Sequence, residues 1–110
     1  MSGHAGLAGG RWQTLTLMEQ LGNIGSEVGR AISARERGDP QRLAGALERA
    51  LDLFDLTLDD PRWHGPRVRE IARAREVTCD FLAGENEYRS TAASLDAYFL
   101  QFAMAARRNR

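Results

Sequence analysis

Arg62, His64, Arg67, Arg69 and Arg73 crowd one short stretch, with Trp63 among them. Guanidinium forks contact phosphates and an indole can stack on a base, so phosphate or RNA contact would sit here. Arg107, Arg108 and Arg110 make a second basic group at the end of the chain. Asp59, Asp60, Glu70, Glu76 and Asp80 interleave with the first cluster, and a solvated, charge-balanced face is the competing expectation. Glu76 and Asp80 stand four apart on one helical face, a pairing able to hold Mg²⁺ beside a phosphate. Arg69 and Arg73 share that face and favour a ladder of ion pairs over a metal. Di-iron bundles need Glu-x-x-His pairs, and neither His4 nor His64 follows a Glu at that spacing. Cys79 falls on an inward apolar stripe rather than beside His64, so it reads as a small core residue. No nucleophile turn and no glycine-rich phosphate loop occurs. No metal, cofactor or catalytic residue is expected.

Composition narrows the classes further. The fifteen basic residues balance fifteen Asp and Glu, so no global basic field argues for nucleic acid. All of the basic residues are Arg, which excludes Schiff-base chemistry, a lysine base and a P-loop lysine. With 43% apolar and 27% charged residues the chain is ordinary for a folded globular domain. A single cysteine fits a reducing compartment. No apolar run approaches the roughly 18 residues of a membrane helix, and the start lacks the order of a signal peptide. A cytoplasmic protein with no membrane association is expected.

A second group of residues could meet inside. Arg75 lies in angle between Val68, Ile71, Cys79 and Leu82, and Arg49 between Leu53 and Leu56. Guanidiniums at such positions either snorkel outward or find an acidic partner. Glu27, at the margin of an apolar stripe with Asn23 and Arg30 beside it, is the best-placed partner. A polar interior of Asn23, Glu27, Arg30, Arg49 and Arg75 is therefore expected, fixing helix register or forming a site.

The elements that must position these groups are helices. Residues 1–11 carry glycines and little to bury and read as a disordered arm, leaving 12–110 as one domain. Thr16 and Glu19 form a capping-box signature ahead of Leu17, Leu21, Ile24, Val28 and Ile32, one face of a helix. Asp39 and Pro40 open a second helix with Leu43, Leu47, Ala50, Leu51, Phe54 and Leu58 as its stripe. Asp59, Asp60 and Pro61 end it. A third helix is expected from about Arg67 to Ala83, with Gly84 as its C′ residue, and a fourth from Ser90 or Thr91 to about Arg108. No alternation of period two marks a strand. Four amphipathic helices with short connections predict an all-α, up-and-down antiparallel four-helix bundle.

Two features exceed what such a bundle needs. Gly22, Gly25 and Gly29 line one stripe of the first helix, each costing roughly 1 kcal/mol relative to Ala. Packing within the bundle against an aromatic such as Phe99 or Phe102, a subunit interface or ligand access could offset that cost. The fourth helix is apolar on two sides: opposite Leu95, Tyr98, Phe99 and Phe102 lie Ala93, Ala97, Leu100 and Met104. A helix apolar all round is normally covered all round, so these four residues are the expected interface of a homodimer.

The stretches NIGSEVGRA, ALERALDLFDLTLDD, REIARARE and YFLQFAMAAR, spread over most of residues 17–107, give the chain a likeness to small uncharacterised prokaryotic all-helical proteins. As a small four-helix bundle it also resembles, loosely, the HEPN proteins, several of which are ribonucleases or partners of nucleotidyltransferases. HEPN ribonucleases use Arg-x(4–6)-His, and neither His4 nor His64 has an Arg at that spacing. That resemblance therefore implies a catalytically silent bundle or a partner protein. The reading that follows is a non-enzymatic helical interaction module, homodimeric, with a protein partner possible. Its alternatives are an RNA- or nucleotide-handling protein using the Arg62–Arg73 cluster and, more weakly, a carboxylate metal site at Glu76 and Asp80.

Overall fold

Three of the four helices begin where a side chain, from Thr16, Asp39 or Thr91, accepts an amide that the first turn leaves unbonded, while the third starts at Gly65–Pro66 without a side-chain cap. The computed structural model describes residues 10–108. It contains α1 (Leu17–Glu36), α2 (Pro40–Leu58), α3 (Pro66–Ala83) and α4 (Ala92–Arg108), preceded by a single 3-10 turn at Trp12–Thr14. Thr16 and Glu19 close a full capping box on α1. The Asp39 side chain accepts the Arg42 amide at the start of α2, with Pro40 in the first turn. Gly38 at φ +69° turns the chain out of α1, and Gly65 at φ +64° turns it into α3. The expected arm falls almost wholly on residues 1–9, outside the described residues, as does Arg110.

Gly84 corrects an expectation. It follows α3 at φ −112° and ψ −155°, an extended conformation rather than the left-handed one of a helix-ending glycine. A Cβ there would stand 3.1 Å from the Asp80 Cα and carbonyl oxygen, so close approach to the preceding turn is what favours glycine. The left-handed positions of this connection belong to Asn86 and Arg89, both at φ 54°.

The helices form an all-α, up-and-down four-helix bundle. Glu27 meets Arg49 across α1 and α2, while Gly22 and Gly25 meet Ala103 and Phe99 across α1 and α4. Tyr98 meets Glu70 across α4 and α3. Gly22 with Ala103 and Gly25 with Phe99 run in opposite numerical order, and the short connections between successive helices make the other neighbours antiparallel as well. The diagonal helices α1 and α3 run the same way, Gln20 reaching Trp63 and Arg35 reaching the Phe81 carbonyl. α1 packs most extensively, against both α2 and α4; α3 lies chiefly against α2 and approaches α4 sparsely.

Apolar stripes explain the assembly. Leu21, Ile24, Val28, Phe54 and Ile71 are each at most 1% exposed. Each such side chain removed from water contributes about 1.5–3 kcal/mol before the ordering entropy is set against it. Phe54 and Phe99 meet edge to face at 6.3 Å across the centre of the bundle.

Candidate functional site

The most deeply buried polar group lies at the end of the bundle where the 3-10 turn, the start of α1 and the α2–α3 connection converge. Gln20 is 0% exposed and Asp60 1%. The Gln20 amide donates to the Trp12 carbonyl at 2.9 Å and to Asp60 Oδ2 at 3.1 Å, and its oxygen accepts the Trp63 indole N–H at 2.8 Å. The Trp12 indole N–H donates to Thr57 Oγ1 at 3.1 Å, and that hydroxyl donates to the Leu53 carbonyl. Arg62 grips Asp60 through Nε at 3.0 Å and Nη2 at 2.7 Å, and its Nη2 reaches on to the Leu15 carbonyl at 2.6 Å. Hydrogen bonds from Arg62 outweigh the effect of burial and hold the Asp60 carboxyl down at about 2. With its oxygens engaged and its proton lost, Asp60 is suited to fastening three segments together and not to proton transfer.

Sequence reasoning missed this network, although two signals were present. Gln20 stands three residues after Leu17 and four before Ile24, squarely on the apolar face of α1. Asp60 precedes Arg62 by two, the spacing of an Asx turn, and the Arg62 amide indeed donates to Asp60 Oδ1 at 3.0 Å.

Only part of the expected polar interior comes together. Glu27, 8% exposed, accepts from Arg30 Nη1 at 2.8 Å and from Arg49 Nε at 2.9 Å. Arg75 does not join them: it donates to Asp55 Oδ1 at 3.0 Å on the α2–α3 side of the bundle. The diagonal placement of α1 and α3 explains why, since α2 offers the nearer carboxylate. Asn23 is exposed and donates back to the Glu19 carbonyl in its own helix. Because Arg30 and Arg49 remain largely in solvent, what forms is a half-buried clamp joining α1 to α2.

The Arg62–Arg73 cluster is likewise divided. Arg62 is committed to Asp60 and also lies over the Trp63 ring at 4.4 Å. Trp63 is half-buried over the bundle end, with Arg67 a further 5.9 Å neighbour of its ring. Arg73 stands over Tyr88 at 5.3 Å. His64 and Arg69 are exposed, and Arg69 forms no ion pair among the described residues.

Glu76 and Asp80 prove to anchor the α3–α4 connection. Asp80 accepts the Glu87 amide at 2.8 Å and the Tyr88 amide at 3.0 Å, while Glu76 accepts the Tyr88 hydroxyl at 2.8 Å. Among the described residues no group of three His, Cys, Asp or Glu could hold a metal ion. Cys79 is half-buried rather than fully internal, and burial pushes its thiol up, opposed by the Arg75 charge. That is the reverse of an activated nucleophile.

Two surfaces are left with apolar character. On the outside of α4, Ala93, Ala97, Leu100 and Met104 are all exposed, Leu100 at 52% and Met104 at 47%. Beside Leu100 lies a depression of about 270 Å³ whose floor is Gly22 and Gly25. The second surface is a groove of about 510 Å³ where α3 and α4 diverge, walled by Ala74, Val77, Leu95 and Phe99, with Arg69 and Arg73 on its lip. No described helix is long and apolar enough to cross a membrane. No family model, curated protein or solved structure matches this chain.

Proposed function

We propose that this protein is a non-enzymatic helical interaction module of the cytoplasm that works as a homodimer, with the outer face of α4 as its interface. The single observation carrying this reading is the exposure of Leu100 and Met104 on a helix whose opposite side already fills the core. The surface also has the form that a two-fold contact uses, a projecting side chain next to a hollow. Leu100 of each copy stands beside the depression over Gly22 and Gly25, so one rotation can seat both. The polar groups described above support the same reading, because each is occupied with holding helices in register. An RNA- or nucleotide-handling role has less in its favour, since Arg62 is engaged by Asp60 and lies over the Trp63 ring.

Light scattering across a wide concentration range tests the proposal. A mass near twice the 12.2 kDa monomer is expected, returning to one copy in a Leu100→Glu, Met104→Glu double variant. A wild-type mass of one copy at the highest concentration would overturn it.

A further inference from the structure

We infer that the groove between α3 and α4 is a binding site for a small amphipathic monoanion of the fatty-carboxylate type. Up-and-down bundles ordinarily close every lateral seam with interlocking side chains. Here the α3–α4 seam is open, and its walls are largely apolar: Ala74 and Val77 from α3, Leu95 and Phe99 from α4, with Ser90 and Ser94 the polar members near the start of α4. The volume of about 510 Å³ lies within the range of small-molecule sites, which are mostly apolar with a few convergent polar groups.

Charge on the lip selects the ligand. Arg69 and Arg73 follow one another at helical spacing along the α3 edge, and both are exposed. One carboxylate, Glu70, stands with them, facing the Tyr98 hydroxyl at 3.4 Å. The lip therefore carries one net positive charge over a greasy trough, which complements a single carboxylate on an apolar tail. Arg69 has no ion pair among the described residues, so its fork is available to a carboxylate without breaking an existing bridge. Arg73 is held beside the groove by its position over Tyr88. A cation of the same shape would meet two guanidiniums, and a bare anion would leave the trough unfilled. This inference is independent of the α4 interface, which lies on a different side of that helix.

Decanoate is the probe, titrated calorimetrically below its aggregation range, with decyltrimethylammonium and acetate as comparators. The expected result is saturable binding of one decanoate per chain, at least tenfold tighter than either comparator. An Arg69→Ala, Arg73→Ala double variant, which changes exposed side chains alone, is expected to weaken decanoate binding about tenfold or more. Val77→Trp, which fills the trough, is expected to abolish it. Amide shifts in nitrogen-15 spectra should map to residues 69–77 and 90–99. The proposal falls if decanoate does not bind, if the cation binds as well, or if the Arg variant binds unchanged. It also falls if Val77→Trp changes the mass of the assembly while decanoate leaves it untouched, because a second copy then occupies the groove.

Discussion

Gly25 of α1 faces the root of the Phe99 side chain so closely that a Cβ on it would lie 2.5 Å from the Phe99 Cβ. The contacted atom is fixed to the α4 backbone and cannot swing away, so the two helices would have to separate. Gly29, one turn further along the same stripe, has nothing within 4 Å of a Cβ position. Identical residues in one helix thus stand in opposite circumstances, and substitution separates them. Gly25→Ala is expected to destabilise by about 1–3 kcal/mol, because overpacking exceeds the gain in helix propensity. Gly29→Ala is expected to stabilise by about 1 kcal/mol, since propensity alone acts there. Urea midpoints measured on both variants check the pair; a midpoint that Gly25→Ala raises or leaves unchanged would show that the α1–α4 spacing is not set by Gly25.

Asp60 gives the molecule an acid limb. Its carboxyl is held at about 2 against an ordinary 3.8, so the folded state favours the ionised form. The resulting stabilisation is present in full above the unfolded value and is lost as pH falls through the folded one. Between pH 4 and pH 2 about 2 kcal/mol should disappear from this group. Asp60→Asn is expected to be less stable than the wild type by about that amount at pH 7, with the two curves converging towards pH 2. Denaturation followed at a series of pH values reads the difference directly, and a constant gap over that interval would refute the assignment.

The contrast between what the chain reveals in one dimension and what it withholds follows from the range of the interactions. Helix starts at Thr16 and Pro40 depend on residues within four positions, and both stand where the pattern places them. The bundle follows from four stripes and short connections. The partners of buried polar groups do not follow in this way. The stripe of α3 does not say which helix Arg75 will face, and only the diagonal placement of α1 and α3 decides for Asp55 over Glu27. Trp12 stands just past the expected arm, and its burial depends on Thr57, forty-five residues away. The α3–α4 groove was illegible because a stripe specifies that a face is apolar and not how far its neighbour stands from it.

Thr78 places a hydroxyl in the interior of the bundle. It is 0% exposed on α3, and its hydroxyl has no hydrogen-bond partner among the described residues. A buried hydroxyl stripped of water and left unbonded costs about 1–3 kcal/mol. Thr78→Val keeps the branched shape and replaces the hydroxyl with a methyl group. The expected outcome is a gain of about 1 kcal/mol and a melting temperature raised by roughly 4–8 °C. A lowered melting temperature would mean that the hydroxyl is satisfied in solution by a bound water, and solvent exchange at the Thr78 hydroxyl would then locate it.

Tyr98 supplies the matching limb at high pH. Burial first, and the nearby Glu70 charge second, push its phenol up to about 12 from an ordinary 10.0. Here the folded state holds a proton that the unfolded chain releases, so the contribution is intact below pH 10 and is lost as pH rises towards 12. Phenolate absorbance in the folded protein should therefore lag well behind that of the urea-unfolded chain. Tyr88 is also raised, chiefly by its hydrogen bond to Glu76, so the wild-type curve alone does not assign the late step. Tyr98→Phe should remove the later of the two phenolate steps and flatten the loss of stability above pH 10. If the remaining tyrosine of that variant still titrates as late as the wild type does, Tyr98 does not face Glu70 across the α3–α4 seam as described.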